Sequence, residues 1–277
     1  MGSPCELLCE ASSAVEAKRL TEIVAAEAWR VERKLSRYQS GNIVDKINSS
    51  DGKPLRLDDE TAHLIDFATT LHDLSEGAFD ISSGVLRRAW TFDGSDNVPD
   101  AGDVAPLLEL VGWSKAIWRS PMLTLLPGME VDLGGIGKEY AVDRAILALV
   151  SATDVPCLVN FGGDLAVTGA PDKRATWNVG IEATDGSDVP TLVELRQGAM
   201  ATSGDARRFL SKDGRRYSHV LDPRTGWPIE RAPSSITVAA DTCTQAGMLA
   251  TLAILKGGEA ESFLAEQSER SWCRRSA

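Results

Sequence analysis

From Glu130 to Ala240 the chain is a succession of short, apolar or β-branched runs separated by turn residues: EVDL, VPCLVN, DLAVTG, WNVGIE, TLVELR, RRFLS, YSHVL and SSITVAA. Many are too closely spaced for the long crossover that a parallel pair requires, so most of them are predicted to pair antiparallel. Helical periodicity interrupts this pattern at Gly137 to Val150, Thr242 to Leu255 and Glu259 to Gln267. The first part of the chain reads differently. A strand at Cys5 to Cys9 precedes Ser13-Ala-Val-Glu16, a capping-box pattern. It opens a helix with Val15, Leu20, Ile23, Val24, Ala28, Val31 and Leu35 inward, ending near Ser36. After the short IVDKIN segment and a strand at PLRL, Asp58 or Asp59 caps a second helix, which Gly77 closes. The class is α+β, with a mixed or mostly antiparallel sheet and flanking helices. No composition shift marks a boundary, so one domain over residues 1–277 is expected.

The charge excludes some partners. With 29 basic against 40 acidic residues the net charge is -11, which repels nucleic acid and anionic membrane surfaces. Five cysteines without a CxxC pair or a Cys/His cluster argue against a disulfide framework and a zinc site. MGSPCELLCEASS lacks the basic-then-apolar pattern of an export signal, and no apolar run is long enough for a transmembrane segment. The sequence as given is expected to be cytoplasmic.

Three segments carry chemical information. In VDLGGIGKEYAVDRA a strand is expected to end at Asp132 and Leu133, and a helix to open with Lys138 in its first turn. Helix N–H groups and a lysine suit a phosphate, though a tight strand-to-helix turn would look the same. Glu139 after Lys138 breaks the P-loop pattern, and the dinucleotide-binding glycine pattern is absent too. In VNFGGDLAVTG, Gly162 and Gly163 bring backbone close to another strand or to a ligand. In GRRYSHVLDPRTGWPI, the last of three histidines, His219, lies at the end of a strand, with Tyr217, His219 and Leu221 on one face. Asp222-Pro-Arg-Thr-Gly226 then supplies a fixed turn. A histidine so aimed fits a general base and equally a structural hydrogen-bonding residue. His63 and His72, on the second predicted helix, have no ligand partner in register and read as solvated or core-edge residues.

Taken in order, these blocks resemble the ApbE family of FAD:protein FMN transferases over essentially the whole chain. The matching blocks are MGS, LSRYQSGNIVDKIN, GAFDISSGVLRRAW, VDLGGIGKEYAVDRA, LVNFGGDLAVTG, ATSGDARRF, YSHVLDPRTGWPI and LATLAILKG. The resemblance implies a single α+β domain that binds FAD as substrate and cleaves its pyrophosphate with Mg²⁺. AMP is released, and FMN is attached to a threonine of a target protein. It implies His219 as the base, and Met1, Tyr38, Ala78, Phe79, Asp80, Asp132 and Lys138 as FAD contacts. Gly135 and Thr251 match metal positions.

One departure bears on the chemistry. Where the family has an aspartate one helical turn before the metal threonine, this chain has Gly247, and Asp241 is a candidate substitute. Ala206 also replaces a common aromatic residue. The alternative to the transferase is therefore an FAD-binding protein, or an FAD pyrophosphatase with impaired transfer.

Overall fold

The computed structural model describes residues 3–171, 175–182, 190–204 and 208–275. Its elements run β1 (Cys5–Cys9), α1 (Ala14–Leu35), α2 (Ile43–Asn48), β2 (Leu55–Arg56), α3 (Asp59–Leu74), α4 (Ala101–Leu108), β3 (Ile117–Arg119) and β4 (Met122–Thr124). Next come α5 (Gly137–Val150), β5 (Cys157–Phe161), β6 (Asp164–Val167), β7 (Trp177–Ile181), β8 (Thr191–Leu195), β9 (Gly198–Gly204), β10 (Phe209–Lys212) and β11 (Arg215–Ser218). The chain closes with β12 (Ser235–Ala240), α6 (Cys243–Leu255), α7 (Ala260–Ala265) and β13 (Arg270–Arg274). The α+β class and antiparallel pairing are observed. The chain divides into two compact units: Met1–Arg33 with Ile136–Gly204 and Pro233–Ala277, and Lys34–Gly135 with Asp205–Ala232.

The first unit is built on a six-stranded antiparallel sheet in the order β1-β5-β6-β9-β12-β13. Its register sorts side chains between two faces, because directly paired residues share a face and neighbours along a strand alternate. Leu158, Leu165, Val167 and Met200 lie on one face and form a core with Ile181, Val193 and Leu195 of the β7–β8 hairpin. The opposite face carries Val159, Phe161, Asp164, Ala166, Ala199, Ala201 and Ser203, and α5 and α6 pack on the sheet. The alanines of β6 and β9, with Ala246, Gly247, Ala250 and Ala253 of α6, keep this layer thin and buried.

The second unit contains the small β2-β4-β3 sheet, α3, a 3-10 segment at Ile81–Arg88, α4 and the β10–β11 hairpin. Its core gathers Val85, Leu86, Trp90, Val104, Val111 and Leu210. Trp90 stacks on Phe92 at 5.4 Å between ring centroids and meets Trp227 edge-on at 5.2 Å.

Two expectations, on Val15 and EVDL, are corrected, and others become more definite. Val15 is exposed, and its helix instead buries Leu20, Val24, Ala28, Val31 and Leu35. IVDKIN is helix α2, capped by Asn42, whose side chain accepts from Asp45 N. EVDL is no strand. Val131 pairs with the side-chain amide of Asn48, donating to Oδ1 at 2.7 Å and accepting from Nδ2 at 3.1 Å, so one side chain satisfies both backbone groups. Asp58 is the α3 cap, accepting from Thr61 N. Among the described residues, no helix is long and apolar enough to cross a membrane.

Candidate active site

In the first unit, α5 begins at Gly137 after Ile136, a cap position without a side-chain bond to the helix N–H groups. Lys138 and Glu139 therefore occupy its first turn. The Lys138 ammonium lies 2.7 Å from Oδ2 of Asp164, and Oδ1 of Asp164 accepts from Thr202 N at 3.1 Å. Asp164 is 1% exposed, at the helix-facing end of β6. Gly162 and Gly163 just before it have φ of +66° and +100°, and Phe161 pairs with Asp164, so the two glycines form a two-residue hairpin turn. A side chain on Gly162 would collide with the Ser3 side chain, while Gly163 has open space around it and is required by its backbone conformation alone. Lys138 stands in the first turn, as the sequence predicts, and is ion-paired there. Burial opposes its charge, but Asp164 more than offsets this and raises its pKa. Burial pushes the Asp164 carboxyl up, while the Lys138 charge and hydrogen bond pull it down.

Glu139 is 8% exposed, and its Oε2 has no hydrogen-bond partner among the described residues. Burial first, and then the Asp164 charge, push its pKa up to about 8 against the lowering effect of Lys138. Its side chain lies where a side chain at 247 would be. A Cβ on Gly247 would stand 2.5 Å from Glu139 Cγ and 2.9 Å from Oε1. This explains a glycine inside α6, which costs about 1 kcal/mol relative to alanine. One turn later, Thr251 Oγ1 shares a hydrogen bond with Ser203 Oγ at 2.9 Å. Asp241 does not join this group. It is exposed at the other end of α6, and the helix rise from Cys243 to Thr251 alone is about 12 Å. Thr242 caps α6, accepting from Gln245 N at 3.2 Å, and Asp143 adds to the cap, accepting from Cys243 N and Thr244 N at 2.8 Å each.

The second unit holds the other predicted residues. Tyr38 is 78% exposed, and its hydroxyl accepts from Arg87 at 3.0 Å. Ala78 and Phe79 are buried, and the Gly135 backbone closes against the Phe79 ring, with room for a Cβ only 3.4 Å from Cε2. Asp80 is a turn cap. It accepts from Ser82 N at 2.7 Å, Ser82 Oγ at 2.6 Å and Trp113 N at 2.8 Å, with His72 Nε2 3.7 Å away. His72 is a core-edge residue and His63 an exposed one. Asp132 bonds Gly134 N at 2.8 Å and faces Arg87 at 3.1 Å and Arg37 at 3.4 Å. Met1 lies outside the described residues, as does Ala206.

His219 stands just past β11 rather than on it. The alternation still carries through, since Tyr217 and Leu221 pack on the Trp90 cluster and the His219 ring meets Phe92 edge-on at 6.2 Å. The turn beyond it is closed by hydrogen bonds. Asp222 O accepts from Gly226 N at 2.8 Å, its carboxylate holds Arg224 N at 2.9 Å, and Trp90 Nε1 donates to Gly226 O at 2.9 Å.

Among the described residues, no three His, Cys, Asp or Glu side chains group at metal-binding spacing. A metal here would draw on few protein side chains and on its substrate's oxygens. The unpartnered Glu139 oxygen and the Thr251 hydroxyl are hard donors of the kind Mg²⁺ takes, so the residues present fit such an ion. Glu139, Asp164 and Ser203 were missed in the sequence. The strand parity that puts Asp164 and Ser203 on one face was the available signal, and it required knowing the pairing.

The ApbE family pattern matches residues 1–272. The FAD:protein FMN transferase of Vibrio cholerae serotype O1 is 31% identical over 250 residues, covering 86% of this chain and 74% of that protein. That of Haemophilus influenzae is 26% identical over 274 residues, covering 94% and 79%. Among solved structures, the ApbE protein of Thermotoga maritima matches with a TM-score of 0.88 at 29% identity, over 98% of this chain and 91% of that one. The apo flavinyl transferase ApbE of Pseudomonas stutzeri matches with a TM-score of 0.80 at 26% identity, over 98% and 91%. Fold and relatives together define a transferase enzyme. The chain belongs to the ApbE family.

Proposed function

We propose that this protein is an FAD:protein FMN transferase, which splits the FAD pyrophosphate in the presence of Mg²⁺ and joins FMN to a threonine of a target protein. The observation that carries this reading is the family match across residues 1–272, with curated relatives named for that activity. In the reaction, the threonine Oγ forms a bond to the FMN phosphorus, the bond from that phosphorus to the bridging oxygen breaks, and AMP leaves with the oxygen. The proton on Oγ needs an acceptor. His219, held by the Asp222 to Gly226 turn, is the residue assigned to it. Tyr38 offers an exposed aromatic face suited to stacking, while Asp132 and Asp80 order backbone beside Phe79. The N-terminus of α5 favours phosphate, with Lys138 held in its first turn by Asp164. Gly135 and Thr251 are the metal residues assigned by resemblance. When bound, Mg²⁺ supplies neutralisation of diphosphate charge in phosphoryl transfer.

A second reading has one observation behind it. Gly247 removes a carboxylate from α6, which fits an FAD-binding protein or an FAD pyrophosphatase. Incubation of the purified protein with FAD and Mg²⁺, with AMP measured chromatographically, separates cleavage from binding. The transferase reading expects metal-dependent AMP, and FMN bound covalently once a threonine acceptor is present. AMP with free FMN only, whatever the acceptor, supports the pyrophosphatase, and intact FAD supports the binder.

A further inference from the structure

We propose that Glu139 is a metal-binding carboxylate in this protein, supplied from α5 into the space that Gly247 leaves open on α6. The inference rests on the metal-dependent reading above and deepens it. Three observations carry it. Glu139 is a buried carboxylate whose Oε2 has no hydrogen-bond partner among the described residues, a costly arrangement without a compensating ligand. Its side chain fills the volume a residue at 247 would need, with Cγ 2.5 Å from the position of a Cβ there. That position is one helical turn before Thr251, so the carboxylate reaches the face of α6 that carries the Thr251 hydroxyl, itself tied to Ser203 at 2.9 Å. The nearby ion pair does not satisfy Glu139, because Lys138 lies 2.7 Å from Asp164. With all three ionised, Lys138, Asp164 and Glu139 leave one net negative charge in a buried place. A bound cation offsets such a charge, a divalent one leaving a single positive charge for substrate oxygens to meet, and an anion would add to it.

The geometry also predicts how the two positions depend on each other. An aspartate introduced at 247 alone collides with Glu139, so Gly247→Asp is expected to destabilise the fold without tightening metal binding. Shortening Glu139 first removes the collision.

The test is Mn²⁺ binding to the full chain, followed by electron paramagnetic resonance with and without FAD, and melting curves to check folding. Wild type is expected to bind Mn²⁺ saturably, and Glu139→Gln to bind about 10-fold more weakly or worse, since loss of even outer-shell partners costs that much. Glu139→Ala with Gly247→Asp is expected to return to within a few-fold of wild type. Equal affinity in wild type and Glu139→Gln would overturn the inference, as would absence of Mn²⁺ binding by wild type in both conditions. Should Glu139→Gln fail to fold, the double variant decides: folded and binding supports the exchange, folded and not binding refutes it. If the double variant is unfolded as well, the two positions do not exchange and the inference is again overturned. AMP release by wild type is scored separately. No AMP alongside the expected Mn²⁺ pattern rejects the transferase reading and leaves the metal carboxylate standing. Mg²⁺-dependent AMP with unchanged Mn²⁺ affinity in Glu139→Gln does the reverse.

Discussion

Glu139 and Gly247 illustrate how a residue's meaning depends on its neighbour. A helical glycine normally weakens a helix, and a buried carboxylate normally weakens a core. Here the absence of one side chain makes room for the other. The combination has a consequence for stability in metal-free protein. The Glu139 pKa is about 8 in the folded state against an ordinary 4.5. Below 4.5 both folded and unfolded chains hold the proton, and no penalty arises. As pH rises from there the unfolded chain releases it first, so stability falls until the folded group ionises near 8. Stability in EDTA is expected to fall between about pH 5 and 8, by at most about 5 kcal/mol, and to be read as a lower melting temperature. Glu139→Gln should flatten that slope, and an identical slope in the variant would assign it to Asp164 or another group. His219 carries a different expectation. His219→Ala should lower transfer about 10²-fold or more with FAD affinity nearly unchanged, the range for a positioned base. Parallel losses in affinity and rate would mark it as a binding or structural residue.

At the scale of elements, the turn after β11 holds the backbone beyond His219 in one conformation. Gly226 has φ of +73°, and a Cβ there would meet Val104 Cγ1 at 2.5 Å. Gly226→Ala is therefore expected to cost about 1–2 kcal/mol for the left-handed backbone and about 1–3 kcal/mol more for overpacking. A lower urea midpoint with unchanged slope would show this, and an unchanged midpoint would contradict it. This turn was legible in the sequence because Asp-Pro-Arg-Thr-Gly is local chemistry. So were α5, whose observed ends are Gly137 and Val150, and, as one of two candidates, the Asp58 cap of α3. The β2-β4-β3 sheet was legible only in part, because strands of two or three residues carry almost no periodicity. Val131 looked like strand because apolar and polar residues alternate around it, and its partner proved to be the Asn48 side chain. The Glu139 and Gly247 contact was invisible, since it arises from the packing of α5 against α6 and from no local pattern.

For the whole molecule, the ordered blocks carried more than any one motif, and the family match over residues 1–272 agrees with them. The residues assigned to FAD divide between the two units. Tyr38, Ala78, Phe79, Asp80 and Asp132 belong to the second, and Lys138 to the first. In each unit the structure gives the predicted residues more work than the sequence suggested: Asp80 caps a turn, Asp132 pairs with arginines, and Lys138 pairs with Asp164. Flavin handling underlies both the transferase and its alternatives, so it is the claim to test first. FAD titrated into ligand-free protein should give saturable quenching of flavin fluorescence with micromolar or tighter affinity, on the order of 8 kcal/mol. A titration that never saturates, with the protein folded, would contradict the account.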